Sequence, residues 1–320
     1  MLIEKTGNED YMLCRIPGIV ITQTGTLLAY YECRKSLSDW AEIDIKIIRS
    51  TDGGETWQTV TIFSGKGNTL NNPVMFVNGE ELHFLFLKNY KNLYHCVSTD
   101  DGQTFSIAQE KFFDCDFFYN VVAVGPGHGI VHNGNMIVPV WFAQNKEQPK
   151  AHAPSIISTL YSADGENWKL GETIGSNVLV NPSECALAVT KDNKVLISIR
   201  NENDCHQRAF AISDNGFGHW EELHFHPQMS DPICMGSMCN ENEAIYHINC
   251  DSTVSRENLT VKKSRDCFKS FESFYIDSPA GYSDIAVKNG TLYVLYEKFS
   301  TDTEFNKKSG GLYFKKITLK

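Results

Sequence analysis

Short apolar stretches recur along this chain, and none of them makes a convincing amphipathic helix of three turns. EIDIKIIRS, ELHFLFLKNY, NMIVPVWFA, NKVLISIRN, ENLTVKKS and TLYVLYEKF are rich in β-branched and aromatic residues and are bounded by Asn, Gly or Asp. That pattern predicts strands closed by turns. Between the strands one short box repeats: STDGGETW at 50–57, STDDGQTF at 98–105, a shortened SADGENW at 162–168, and worn copies SDNGFGHW at 213–220 and SRDCFKSF at 264–271. Ser and Asp side chains bond turn backbone, Gly supplies a positive φ, and the closing aromatic anchors the turn in apolar surroundings. The box carboxylates therefore read as turn staples rather than catalysts.

One unit about every fifty residues suits a four-stranded propeller blade, and strand groups at that spacing make about six blades. The expected fold is all-β: a six-bladed β-propeller with four-stranded antiparallel blades. No Pro/Ser-rich linker interrupts the chain, so residues 1–320 read as one domain. In such a ring the inner strand ends of several blades converge on one face. A site there gathers residues far apart in sequence.

Charge narrows the classes of partner. Lysine and arginine total 29 against 39 acidic residues, a net charge of -10 with no block of one sign. This argues against a nucleic-acid footprint or a polybasic membrane patch. No apolar run approaches a spanning helix, and the start, MLIEKTGNEDYM, has acidic residues where a signal peptide carries its apolar stretch. The chain as numbered reads as cytoplasmic, or as secreted if a leader was removed. Ten cysteines show no CxxC and no metal-ligand spacing, so they read as small buried hydrophobes. His224 and His226 share a strand face but have no cysteine or acidic cluster beside them, which disfavours a metal site.

One stretch stands outside the repeats. In CRIPG, residues 14–18, the first probable strand ends on Arg15, Pro17 fixes the backbone, and a β pattern resumes. Alone, Arg15 would read as a solvated charge at a strand end. Followed by the boxes, it makes the chain resemble the sialidase (neuraminidase) family. The likeness runs through AYYECRKSLSD, AVGPGHGI with VPVWFA, NPSECALAV leading to ISIRNEN, SRENLTVKKSRD, and AGYSDIAVKNGTLYVLYE, from about residue 11 to 297.

The resemblance implies an exo-α-sialidase that removes terminal sialic acid with retention and without metal or cofactor. Arg15, Arg200 and Arg256 are implied to clamp the sugar carboxylate, for which a planar, permanently charged guanidinium is suited. Tyr282 in GYSD is implied as nucleophile and Glu184 in NPSE as its base; sialidases are the tyrosine exception among glycosidases. A neutral phenol avoids the repulsion that a carboxylate would meet at an anomeric carbon already bearing one. Asp39 is implied as the acid and base; Asp44, inside EIDIKII, reads as a strand position. Arg34 is implied near the 4-hydroxyl, and Glu297 as the group that orients Arg15. Asn72 stands where many relatives carry aspartate, keeping the hydrogen bonds without the charge. His128 and Trp141 read as structural. The implied partner is a sialylated glycan or a related nonulosonic acid glycoside. Still open are a glycosidase for an altered nonulosonic acid, a trans-sialidase, and a non-catalytic sialic-acid-binding lectin. Retention of Asp39, Tyr282 and Glu184 together favours an enzyme, because binding needs only the arginines.

Overall fold

A computed structural model describes residues 1–7, 10–175, 177–299 and 310–319. The apolar stretches become strands, and consecutive strands pair antiparallel because the connections between them are short turns. Six sheets result. From the inside outward the first blade is Leu13–Ile21, Leu27–Arg34, Ile43–Ser50 and Gln58–Phe63. The second is Leu70–Asn78, Glu81–Lys88, Asn92–Ser98 and Gln109–Lys111, with Gly127–His128 added parallel to its inner edge. The third is Val121–Val124, Asn135–Ala143, Ser155–Ser162 and Lys169–Leu170, with Ile130–His132 also pairing its second strand. The fourth is Cys185–Val189, Val195–Ile199, Gln207–Ser213 and Glu221–Ser230, and the fifth Ser237–Glu241, Ala244–Cys250, Leu259–Ser264 and Glu272–Asp277. Ser283–Lys288, Thr291–Phe299 and Gly310–Thr318 form the sixth, whose outer strand is the N-terminal Leu2–Lys5. The molecule is thus a six-bladed β-propeller, closed by pairing the two ends of the chain. Among the described residues there is no helix.

Each box begins on the last residue of a third strand: Ser50, Ser98, Ser162, Ser213 and Ser264. Asp52 accepts hydrogen bonds from the Ser50 hydroxyl at 2.7 Å, the Thr56 amide at 3.0 Å and the Thr56 hydroxyl at 2.6 Å. Asp100 repeats the pattern with Ser98 and Thr104. The indole N–H groups of Trp57 and Trp168 donate to the carbonyls of Gly54 and Gly165. The box carboxylates staple turns. All ten cysteines are free thiols, six of them buried. His226 is engaged by the Phe268 carbonyl and the Gln228 amide, and among the described residues no His/Cys/Asp/Glu cluster could hold a metal ion.

CRIPG forms a bulge. Arg15 pairs with Glu32 and Gly18 with Tyr30, so Ile16 and Pro17 together face one residue of the neighbouring strand. Ile16 has φ 55, an outlier for a β-branched side chain that the surroundings must hold in place. Gly18 is required by packing: a Cβ there would lie 2.0 Å from the Tyr30 ring. That ring is fixed, since its hydroxyl donates to the Gly127 carbonyl at 2.8 Å and accepts from the Met75 amide at 3.1 Å. The second blade copies the device, with a shift between Asn71 and Val74 and Asn72 at φ 52 before Pro73. Near the axis, fully buried Asp284 accepts from the Ile19 amide at 2.8 Å and from the Ser237 hydroxyl, and pairs with His128 Nδ1 at 2.8 Å. One carboxylate thereby ties four segments of the ring together.

Candidate active site

In an antiparallel meander that starts at one face, the first strand's beginning and the second strand's end return to that same face. The boxes, at the ends of third strands, fall on the opposite face. The first positions hold Arg15, Asn72, Glu184 immediately before Cys185, and Tyr282 immediately before Ser283. The second hold Arg34, Arg200 immediately after Ile199, Arg256 in the connection after Cys250, and Glu297. Topology alone therefore puts these side chains at one mouth of the ring. A cavity of about 320 Å³ opens there, and Arg15, Arg34, Asp39, Asn72, Glu184, Arg200, Arg256 and Tyr282 all line it.

Tyr282 is the hub. Its hydroxyl lies 2.8 and 2.7 Å from the two Glu184 carboxylate oxygens and accepts from Arg200 Nη1 at 2.8 Å. Arg200 also pairs with Glu184. The guanidinium carbons of Arg15 and Arg256 stand 4.9 and 5.1 Å from the centre of the Tyr282 ring. Three cations thus surround one phenol. Burial pushes its pKa up; Arg200 pulls it down, Glu184 pushes it further up, and Arg256 and Arg15 pull it down, leaving it well above the usual phenol value.

Glu297 braces this arrangement from beneath. It is fully buried and accepts from Arg15 Nε at 3.0 Å, Arg15 Nη2 at 3.4 Å, the Ile16 amide at 3.1 Å and the Tyr282 amide at 3.2 Å. One carboxylate therefore fixes the first arginine, the strained turn behind it and the backbone of the tyrosine.

Arg34 is buried between two acids. It donates to Glu32 at 2.8 Å through Nε and bonds Asp39 through Nη1. The Glu32 carboxylate in turn accepts the Asn72 amide at 2.9 Å, and the Asn72 side chain accepts from Asn71 at 3.1 Å. Asp39 is 43% exposed at its side chain and rests on a loop, where a reactant can reach it. Burial works to raise its pKa, but the charge and hydrogen bond of Arg34, followed by the charge of Arg15, outweigh it and hold the carboxyl below its ordinary value. Asp44 lies elsewhere, buried on a strand and bonded by the Tyr11 hydroxyl and the Gly65 amide.

Trp141, read from sequence as structural, lines the cavity, while His128 belongs to the axial pair with Asp284. Sequence reasoning missed Glu32, Tyr90, His152, Ser155, Asn181, Ser183 and Glu202. Glu32 had a signal, an acid inside the otherwise uncharged run LLAYYEC. His152 had none, being one residue in a loop outside any repeat.

Residues 58–294 match the family model described as a BNR repeat-like domain. A sialidase of Bacteroides fragilis is 25% identical over 311 residues, which is 82% of this chain and 55% of that protein. The chain thus spans about half the length of that relative. A sialidase of Paraclostridium sordellii is 23% identical over 345 residues, covering 92% of this chain and 83% of its own. Among solved structures, a Hadza microbial sialidase has the same fold, with a TM-score of 0.82 at 22% identity over 98% of this chain and 67% of its own.

Proposed function

The chain belongs to the family of BNR repeat-like domains, and from that premise we propose that it is a retaining exo-α-sialidase acting on terminal sialic acid. The observation that carries the reading is one phenol bonded to Glu184 and Arg200, with Arg15 and Arg256 against its ring. The names of the two bacterial relatives point the same way. Arg15, Arg200 and Arg256 receive the sugar carboxylate through paired, charge-assisted hydrogen bonds. The raised pKa keeps the phenol neutral at rest, so no like charge opposes its approach to the anomeric carbon. As the phenolic oxygen bonds that carbon, its proton passes to Glu184, and the glycosidic bond breaks with a proton from Asp39. In the second step water attacks the same carbon while Asp39 takes the water proton, the bond from that carbon to the phenolic oxygen breaks, and the departing phenolate recovers its proton from Glu184.

Asp39 rests ionised, so it must gain a proton before it can act as an acid. A substrate carboxylate seated among the arginines cancels positive charge nearby and favours that protonation. Binding thereby prepares the acid.

The test is hydrolysis of a fluorogenic sialoside by wild type, Asp39→Asn and Tyr282→Phe. Wild type should release the fluorophore, and each variant should lose at least about a hundredfold in kcat while remaining folded. A silent wild type that still binds sialyl-lactose would make the protein a lectin instead. Variants that hydrolyse normally would remove both residues from these roles.

A further inference from the structure

The cavity has a wall that the chemistry above does not use. Trp141 is 5% exposed and its indole N–H has no hydrogen-bond partner among the described residues; the Nε2 atom of His152 is likewise buried and unpartnered. The two rings are neighbours, 5.4 Å apart between centres, and both line the cavity that holds Asp39 and Tyr282. Buried polar nitrogens without partners are rare and costly, and at a functional site they mark where a ligand completes the hydrogen bonds.

The position of His152 is enforced rather than incidental. The carbonyl before it, of Ala151, accepts from Asn120 Nδ2 at 2.8 Å, and the carbonyl after it, of Ala153, accepts from Asn145 Nδ2 at 3.0 Å. The Gln144 amide closes the loop onto the Pro154 carbonyl at 2.8 Å. The ring itself is packed by Tyr90 at 5.3 Å and Trp40 at 6.0 Å. A loop pinned on both sides of one residue presents that residue in a fixed direction at little entropic cost on binding.

We propose that Trp141 and His152 form a two-donor clamp for one uncharged oxygen of the bound sugar, and so set which nonulosonic acid is accepted. This rests on the sialidase reading and adds residues to it. An indole N–H can only donate, so a ligand atom shared by the pair must be an acceptor, and His152 must then carry its proton on Nε2. The imidazole is held neutral: burial lowers its pKa, and Arg200 and Arg34 oppose its charging, against Asp39 and Glu184, which favour it. A neutral donor pair suits an acyl carbonyl or a hydroxyl. The sugar carboxylate instead belongs among the arginines.

Trp141→Phe keeps an aromatic side chain but loses the five-membered ring together with its donor at a buried position, so each variant is also melted to separate lost packing from a lost hydrogen bond; His152→Gln keeps a donor of similar reach, and His152→Phe removes it. Fluorogenic glycosides of N-acetylated and of deaminated sialic acid serve as substrates, with the unsaturated 2,3-didehydro sugar as a binding probe in calorimetry. Trp141→Phe and His152→Phe should each raise KM and weaken probe binding about five- to tenfold with kcat nearly unchanged, and His152→Gln should recover most of the loss. A penalty confined to the N-acetylated sugar assigns the acyl carbonyl; an equal penalty on both assigns a hydroxyl. If wild type hydrolyses the substrates and folded Trp141→Phe and His152→Phe match it in KM and probe affinity, the clamp is overturned while the functional reading stands. If wild type neither hydrolyses nor binds the probe, both fall together.

Discussion

Replacing Glu297 with glutamine tests whether one buried carboxylate organises the whole site. The exchange keeps volume but removes the charge and turns one acceptor oxygen into a donor. Glu297 is fully buried and its partner Arg15 is 9% exposed, so solvent screens their attraction little. Removing one member of such a pair costs about 3–5 kcal/mol, and the surviving amide oxygen retains part of that, leaving about 3 kcal/mol. For a chain of this length, at roughly 2 °C per kcal/mol, Tm should fall by about 6 °C. The functional effect is separate: Arg15 loses its tether, and the Ile16 amide loses the acceptor that helps hold φ at 55. With one of three carboxylate contacts misdirected, kcat/KM should fall about ten- to a hundredfold. Thermal melting and fluorogenic kinetics on the same preparation measure both. A Glu297→Gln protein that melts with wild type and keeps its kcat/KM would refute the brace.

Two further outcomes follow from the ring's interior. At His128, burial lowers the pKa, but the Asp284 charge and hydrogen bond outweigh it, and the folded value is raised. Its stabilisation is therefore full below the ordinary imidazole value of about 6.5 and is lost as pH rises through the folded value; Tm measured from pH 6 to 9 should fall, and His128→Gln should flatten that slope. A slope unchanged in the variant would assign it to other groups. Gly18→Ala drives a Cβ to 2.0 Å from the Tyr30 ring, so it should destabilise the protein by about 1–3 kcal/mol in a denaturant melt; an unchanged midpoint would mean that the Tyr30 ring moves freely.

Much of the architecture was legible because it is local and repeated. Strand composition and five boxes, each closing a third strand, give the blade and roughly the blade number without reference to distant contacts. The tyrosine, the three arginines, Glu184 and Asp39 were nameable because their short contexts resemble a known family. Less was readable of what holds them. Glu297 looked like a partner for Arg15, yet its bond to the Ile16 amide depends on the first and sixth blades being neighbours. Trp141 looked structural because an aromatic in VPVWFA resembles any core strand residue. His152 sits in a loop whose composition carries no pattern.

What the sequence determined by itself was periodicity: which segments are strands, where they turn, and which residue types were available for anion recognition. The tertiary structure alone decided ring closure, through Leu2–Lys5 pairing with Gly310–Thr318, and with it the meeting of Arg15, Arg200, Arg256 and Tyr282 at one mouth. The physical reason is range. Turn and strand preferences arise between residues a few positions apart, whereas a buried cluster of opposite charges exists only after six sheets have closed and excluded the water that would otherwise screen it.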